Sequence, residues 1–240
     1  MILPHVRGSF ARADAMALVD LVASGDAGLR SGAEARIAAE GLDVLLDDPR
    51  VLNGVLTESN FSASPRLVFY VLIRHALLER GITDRLTADY LASLVLTFGE
   101  RNRAYRISED SPEEFHYLVD LLRRHSEGDS RDAFLVCSHM GNYALWVTGL
   151  FPDYIHERVY RRGAPSLGYY EEVGASGFSA AARSREAKEF GLAELFLTVS
   201  RDFPVLREVL NHLADRHFWK TGGNAVERLL REVAWQVPRA

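Results

Sequence analysis

Apolar residues recur along this 240-residue chain at the spacing of α-helices. The clearest example begins at Ser64-Pro65, where a helix-capping serine precedes a proline suited to the first helical turn. The segment that follows is apolar on every side between Leu67 and Ile73 and ends near Gly81, so we expect a buried, central helix. Alternation with a period of two, which is typical of strands, is absent. The pattern therefore predicts an all-α fold.

The helical segments are expected to pack into a single-domain bundle of about eight to ten helices. This domain takes up residues 1–221, and residues 1–60, where the helical pattern is weaker, form a looser N-terminal lobe in one interpretation. The apolar segments 64–80, 84–99 and 131–151 are expected to form the centre of the bundle.

Two adjacent glycines, Gly222 and Gly223, break the chain near its C-terminal end, and apolar residues follow them at helical spacing. We expect residues 222–240 to form a hinged amphipathic helix. This helix either folds back onto the bundle or docks, through residues 224–237, on a protein partner or a second copy of the chain.

The composition narrows the classes of function. The net charge of −5 and a pI near 5.9 argue against a nucleic-acid partner, because nucleic-acid binders usually carry an excess of basic residues. No stretch of about 18 uninterrupted apolar residues is present, so no membrane span is expected. The chain has a single cysteine and cannot form an internal disulfide. Together with the charged residues that interrupt the N-terminal segment, this predicts a cytoplasmic protein.

The longest mostly apolar segment, residues 133–151, also contains several polar side chains. If the segment is helical, His139, Asn142, Tyr143 and Trp146 lie on one face of it. We call these four residues the His139 stripe. They either line a pocket for a small polar or planar ligand or satisfy one another within the core, and the sequence leaves both interpretations open.

A second face of the same segment carries the small residues Cys137, Gly141, Ala144 and Thr148, which would let a neighbouring helix approach closely. Residues one or two positions apart on a helix point in different directions, so His139 is poorly placed to act as a base for Cys137. We therefore expect Cys137 to be a buried, inert thiol.

In an alternative interpretation, AFLVCS is a short strand and His139-Met140-Gly141-Asn142-Tyr143 forms the turn into a helix. In that form the stretch resembles the His-x-Gly-Asn-aromatic motif of the lysophospholipid and lipid A acyltransferases. The resemblance implies that His139 is a general base oriented by an acidic residue five positions on, where this chain has Ala144.

Metal ligation is a further hypothesis. Glu113-x-x-His116 and Asp153-x-x-His156 each place a carboxylate one helical turn before an imidazole, and a capping box at Ser111 predicts that the first pair begins a helix. The two pairs resemble the Glu-x-x-His motifs of dimetal helical-bundle oxidases. Because the bridging carboxylates of that family are not identifiable here, we expect no cofactor, with a dimetal centre or a single transition metal as the alternative.

Basic and aromatic residues mix near the end of another predicted helix and at the start of the next. They are either cations that complement the helix dipole or a contact site for an anion or a partner. These candidates are Arg158, Tyr160, Arg161, Arg162, Tyr169 and Tyr170.

Two classes of function follow. We favour a soluble helical interaction or accessory protein that has no catalytic activity and acts through protein–protein contacts, because no specific catalytic motif is present. The alternative is a helical-bundle enzyme or sensor that binds a small molecule or a metal in a pocket around His139.

Overall fold

The computed structural model describes residues 1–58, 63–100, 102–127 and 130–218. Throughout these ranges the regular structure is helical and contains no strand, which confirms the all-α prediction. Short 3₁₀ turns lie at Arg7–Ser9 and Arg103–Tyr105, and a π turn lies at Ala214–Phe218. The α-helices of the described ranges are α1 (Arg12–Ala23), α2 (Ala27–Glu40), α3 (Asp43–Leu46), α4 (Pro49–Thr57), α5 (Pro65–Leu78), α6 (Arg85–Gly99), α7 (Leu118–Glu127), α8 (Ser130–Leu150), α9 (Pro152–Arg162), α10 (Leu167–Ala182), α11 (Arg185–Glu189), α12 (Ala193–Arg201) and α13 (Phe203–Leu213).

The 13 α-helices of the described ranges exceed the eight to ten that the sequence predicts. The number is higher because glycines divide segments in which the apolar pattern continues without a break. Gly41, with a φ of 84°, separates α2 from α3, and Gly191, with a φ of 67°, separates α11 from α12. Residues with a side chain avoid this left-handed backbone region, so a helix ends at such a glycine.

The described chain clusters into two compact units. We call residues 4–96 with 215–218 the N-terminal unit, and residues 1–3 with 97–214 the C-terminal unit. None of the helices in the described ranges has both the length and the apolar character that crossing a bilayer requires. The predicted hinge and amphipathic helix at 222–240, including the contact segment 224–237, lie outside the described residues.

The N-terminal unit is built around α5. The Ser64 side chain accepts a hydrogen bond from the Leu67 amide at 3.2 Å, and Pro65 is the first helical residue, as the sequence predicts. Every residue from Leu67 to Leu77 is buried, so the prediction of a central helix is confirmed. Helices α1 to α4 pack against one another, and α4 contacts α5.

A charged residue lies within this apolar helix. The Arg74 side chain is buried and forms an ion pair with Asp47, with Nε at 2.7 Å from Oδ1 and a second nitrogen at 3.0 Å from Oδ2. A third nitrogen donates to the Thr83 carbonyl at 2.9 Å. Burying a guanidinium costs much free energy unless it is paired and hydrogen-bonded, as Arg74 is, and the pair ties α5 to the segment that follows α3.

The C-terminal unit is built around α8, which packs most extensively against α10 and also contacts α13 and α7. The predicted small face makes the close contact. A Cβ added at Gly174 would lie 2.7 Å from the Ala144 Cβ, and one added at Gly177 would lie 2.8 Å from the Cys137 carbonyl oxygen. Only hydrogen fits at these two positions, so the prediction that a neighbouring helix approaches this face is confirmed.

Because α8 is a continuous helix from Ser130 to Leu150, the alternative interpretation of AFLVCS as a strand is wrong. His139 lies in the middle of this helix and not on a turn after a strand. The resemblance to the acyltransferase motif therefore stops at the residue types, because the local geometry of that motif is missing.

Candidate functional site

The four residues of the His139 stripe share one face of α8 and all are buried. Trp146 is 0% exposed and His139 is 4% exposed. The Phe98 ring lies against both, with ring centroids 5.9 Å from Trp146 and 5.6 Å from His139. The Tyr143 hydroxyl donates a hydrogen bond to the His116 carbonyl at 3.2 Å. These contacts are those of an aromatic core.

The imidazole of His139 is held neutral by its surroundings. Burial, followed by the positive charge of Arg103, lowers the pKa of His139 to about 3, while a hydrogen bond to the backbone of Ala104 acts in the opposite direction. The ring Nε2 is buried, and no described residue forms a hydrogen bond with it. His139 is therefore an uncharged core residue at neutral pH.

The predicted metal pairs do not form a common site. The capping-box prediction at Ser111 is wrong, because residues 111–116 are not helical and α7 begins at Leu118. Glu113 and His116 are thus not one helical turn apart; the His116 ring instead lies against Tyr105, with centroids 4.3 Å apart. Asp153 and His156 do lie on the first turns of α9, where both are exposed. Within the described ranges, no three histidine, cysteine or acidic residues are grouped in a way that could hold a metal ion.

The basic and aromatic candidates divide into engaged and exposed members. The Arg158 guanidinium lies over the Tyr117 ring at 5.0 Å and the Tyr154 ring at 5.3 Å, and it donates a hydrogen bond to the Tyr154 hydroxyl at 2.9 Å. Arg158 therefore contributes to packing.

The rest of this set also divides by exposure. Tyr160 is 91% exposed, and Arg161 is exposed beside Glu157, at 3.0 Å. Arg162 and Tyr169 are exposed, whereas Tyr170 is buried. The exposed members leave a surface at the end of α9 that is open to contact.

A groove between α7, α8 and α10 has a volume of about 330 Å³. We call it the α8 groove. Its walls are mainly apolar and include Leu122, Met140 and Val173, while Gly177 contributes main chain to it. The groove opens on the face of α8 that carries Cys137, on the side opposed by α10.

A thiol and an imidazole meet in the α8 groove. Cys137 Sγ lies 3.5 Å from His125 Nδ1, within hydrogen-bonding distance for sulfur. Cys137 is buried, and His125 is exposed at the edge of the groove. Burial raises the pKa of the Cys137 thiol, and the charge of Arg183 opposes this effect only in part. The pair therefore offers a polar position, with a neutral thiol, in a mainly apolar wall to which Glu172 and Ser176 also belong.

Sequence reasoning placed Cys137 correctly as a buried residue that does not pair with His139, but it missed His125. The two residues are twelve positions apart on successive helices, and the groove forms only where α7 packs on α8. The sole sequence signal was the basic residue in the last turn of α7, which a helix dipole explains equally well.

The chain matches no protein-family model, and no significantly similar curated protein or solved structure was found. The interpretation of the site therefore depends on its geometry.

Proposed function

We propose that the protein binds a small, mainly apolar ligand in the α8 groove. The observation that supports this most directly is an apolar depression of about 330 Å³ with one thiol–imidazole pair in its wall. Pockets for small molecules commonly have volumes of about 300 Å³ or more and combine apolar walls with few polar groups. The proposal takes up the alternative predicted from the sequence, a protein that binds a small molecule. It places the ligand in the α8 groove and not at the His139 stripe.

The groove has parts suited to distinct roles. Leu122, Met140 and Val173 would contact the body of the ligand, and the unbranched Met140 side chain can adapt to different shapes. The Cys137–His125 pair would fix the orientation of a ligand that carries a hydroxyl or carbonyl group. The close contact between α8 and α10 at Gly177 holds these two walls of the groove together.

Titration with the neutral, apolar dye Nile red, followed by fluorescence, tests this proposal. Val173→Trp fills the groove, and Val205→Trp places the same side chain on an exposed part of α13 as the matched control. We expect saturable binding by the unmodified chain, about tenfold weaker binding after Val173→Trp, and no change after Val205→Trp. Equal binding by all three proteins, or no saturable binding, would contradict the proposal.

A second candidate function is contact with another protein through the end of α9. The exposed Tyr160 and the nearby Arg161 and Arg162 favour an acidic partner surface. Since the chain itself has a net charge of −5, a second copy is the first partner to test. This retains the favoured interpretation of an interaction protein without catalytic activity. Self-association through 224–237 and a cytoplasmic location remain predictions.

Sedimentation velocity separates the two sources of self-association. A chain that ends at residue 221 removes the segment 224–237, and Tyr160→Ser removes the exposed ring. A dimer that dissociates only in the Tyr160→Ser variant supports contact through α9. A dimer that is lost only on truncation supports the C-terminal segment, and a monomer in all forms contradicts both.

A further inference from the structure

A second cavity lies in the N-terminal unit, and it shares no lining residue with the α8 groove. Its volume is about 410 Å³, it is open to solvent, and it is lined by the segment after Val6, by residues 42–46 and by α6. Arg7, Phe10, Asp43 and Asp89 line it. The wall thus combines ionised groups with an aromatic ring, which distinguishes it from the mainly apolar α8 groove.

The Asp89 carboxylate is the unusual group in this cavity. Asp89 is 6% exposed, and its Oδ1 accepts hydrogen bonds from the backbone amides of Val6 at 2.8 Å and Arg7 at 3.1 Å. Within the described residues no cation pairs with it and no donor reaches Oδ2. Burial raises the pKa of Asp89, while the hydrogen bonds from the Arg7 and Val6 amides and the charges of Arg7 and His5 act in the opposite direction.

The other charges of the wall are already paired. The Arg7 guanidinium binds Asp43 through two nitrogens, with Nε at 3.2 Å from Oδ1. One cation and two carboxylates therefore line the cavity. Asp43 also lies 3.8 Å from Arg85, whereas the charge of Asp89 is in no ion pair within the described residues. An organic cation would compensate this charge, whereas an anion would add to it.

A second polar group nearby lacks a partner. Tyr70 is 0% exposed, and no described residue forms a hydrogen bond with its hydroxyl. The Tyr70 ring meets Phe10 edge to face, with centroids 5.7 Å apart, and Phe10 lies in the cavity wall. Burial raises the pKa of Tyr70, and the charges of Arg7 and Asp43 act on it in opposite directions. Buried hydroxyls without partners are rare in folded proteins, so this one needs a physical explanation.

We propose that this cavity binds a small organic monocation, with its ammonium group at Asp89 Oδ2 and its apolar part against Phe10. A carboxylate beside an aromatic ring is suited to an amine, because the ammonium group gains both a charged hydrogen bond and a cation–π contact. A bare metal ion fits the wall poorly, since the described residues contain no group of three suitable ligands.

Isothermal titration calorimetry of the full chain with benzylammonium tests the proposal, and benzyl alcohol serves as the neutral analogue of the same shape. Asp89→Asn keeps an oxygen acceptor for the two backbone amides but removes the charge. Asp20→Asn is the matched control at an exposed acid of the same unit. We expect saturable binding of benzylammonium, at least about tenfold weaker binding after Asp89→Asn, and no change after Asp20→Asn.

Phe10→Leu provides an independent variant, because it keeps the carboxylate and removes the aromatic ring. We expect it to weaken benzylammonium binding by about threefold or more. If Asp89→Asn does not fold, as judged by circular dichroism, the comparison of the two ligands and the Phe10→Leu variant still decide the matter. Failure of benzylammonium to bind, equal binding of benzyl alcohol, or unchanged affinity in both cavity variants would overturn the proposal. None of these results depends on the α8 groove.

Discussion

Two faces of α8 differ in their access to solvent. One face carries His139, and the other carries Cys137, which contacts His125 of α7. The His139 stripe is enclosed by aromatic rings, and its imidazole is 4% exposed. The face with Cys137 opens into the α8 groove, where an exposed imidazole from α7 meets the thiol. The comparison shows that polar groups in one apolar helix lie in the core on one side and border an open groove on the other, where we propose that a ligand binds. Substitutions on the first face should change stability, and those on the second should change binding.

The largest expected effect is that of Trp146→Ala on the stripe. Trp146 is fully buried and meets Phe98 and Phe151, the latter with ring centroids 4.8 Å apart. Removing the indole leaves a large cavity, so we expect the free energy of unfolding to fall by about 3–5 kcal/mol. Urea unfolding followed by circular dichroism measures this loss. A loss below about 1 kcal/mol would show that the stripe is not part of the core.

A smaller effect concerns the dependence of stability on pH. The pKa of His139 is about 3 in the folded chain against an ordinary value of 6.5, so between these values the unfolded chain binds the additional proton. Stability therefore falls as the pH is lowered through this window, by about 2 kcal/mol from this residue between pH 7 and pH 5. Urea unfolding at both pH values should show a weaker dependence after His139→Gln.

Tyr143→Phe should have a more modest effect. The variant keeps the ring but removes the hydroxyl that donates to the His116 carbonyl at 3.2 Å. Because one hydrogen bond is lost and the volume is nearly unchanged, we expect destabilisation of about 1 kcal/mol. A shift of the urea midpoint with an unchanged slope would verify this, while an unaltered midpoint would mean that the bond contributes nothing.

The smallest effect on stability is expected on the groove side. His125→Gln alters an exposed side chain at the mouth of the α8 groove, so the free energy of unfolding should change by less than about 0.5 kcal/mol. The same variant should weaken the binding of an apolar ligand that carries a hydroxyl group, as measured by displacement of Nile red. Strong destabilisation with normal binding would reverse the assignment of the two faces.

Local patterns predicted the parts of the fold that depend on neighbouring residues. The Ser64-Pro65 start and the apolar residues that follow it predicted the buried helix α5. The spacing of His139 and Trp146 predicted that both lie on one face of α8. Contacts between distant segments were beyond such patterns. The capping box predicted a helix from Ser111, but residues 111–116 are not helical. In this segment the Phe115 amide instead donates a hydrogen bond to the Tyr105 carbonyl at 2.7 Å.

The candidate sites follow the same division. Cys137 was recognisable as a buried residue, but its contact with His125 requires the packing of two helices. The bond between Asp89 and the Arg7 amide joins residues 82 positions apart, and no periodicity in the sequence reports such a contact. Sequence reasoning therefore identified the helix that carries the groove but neither cavity.

The close approach of α10 to α8 has a consequence for how the α8 groove can change. A Cβ added at Gly177 would meet the main-chain carbonyl oxygen of Cys137, and both Gly177 and Cys137 border the groove. Peptide groups thus fix the spacing of α8 and α10 at this point, while side chains such as Val173 contribute to the lining of the groove. Selection, or a protein engineer, can alter which molecules fit by exchanging those side chains without having to rebuild the floor beneath them.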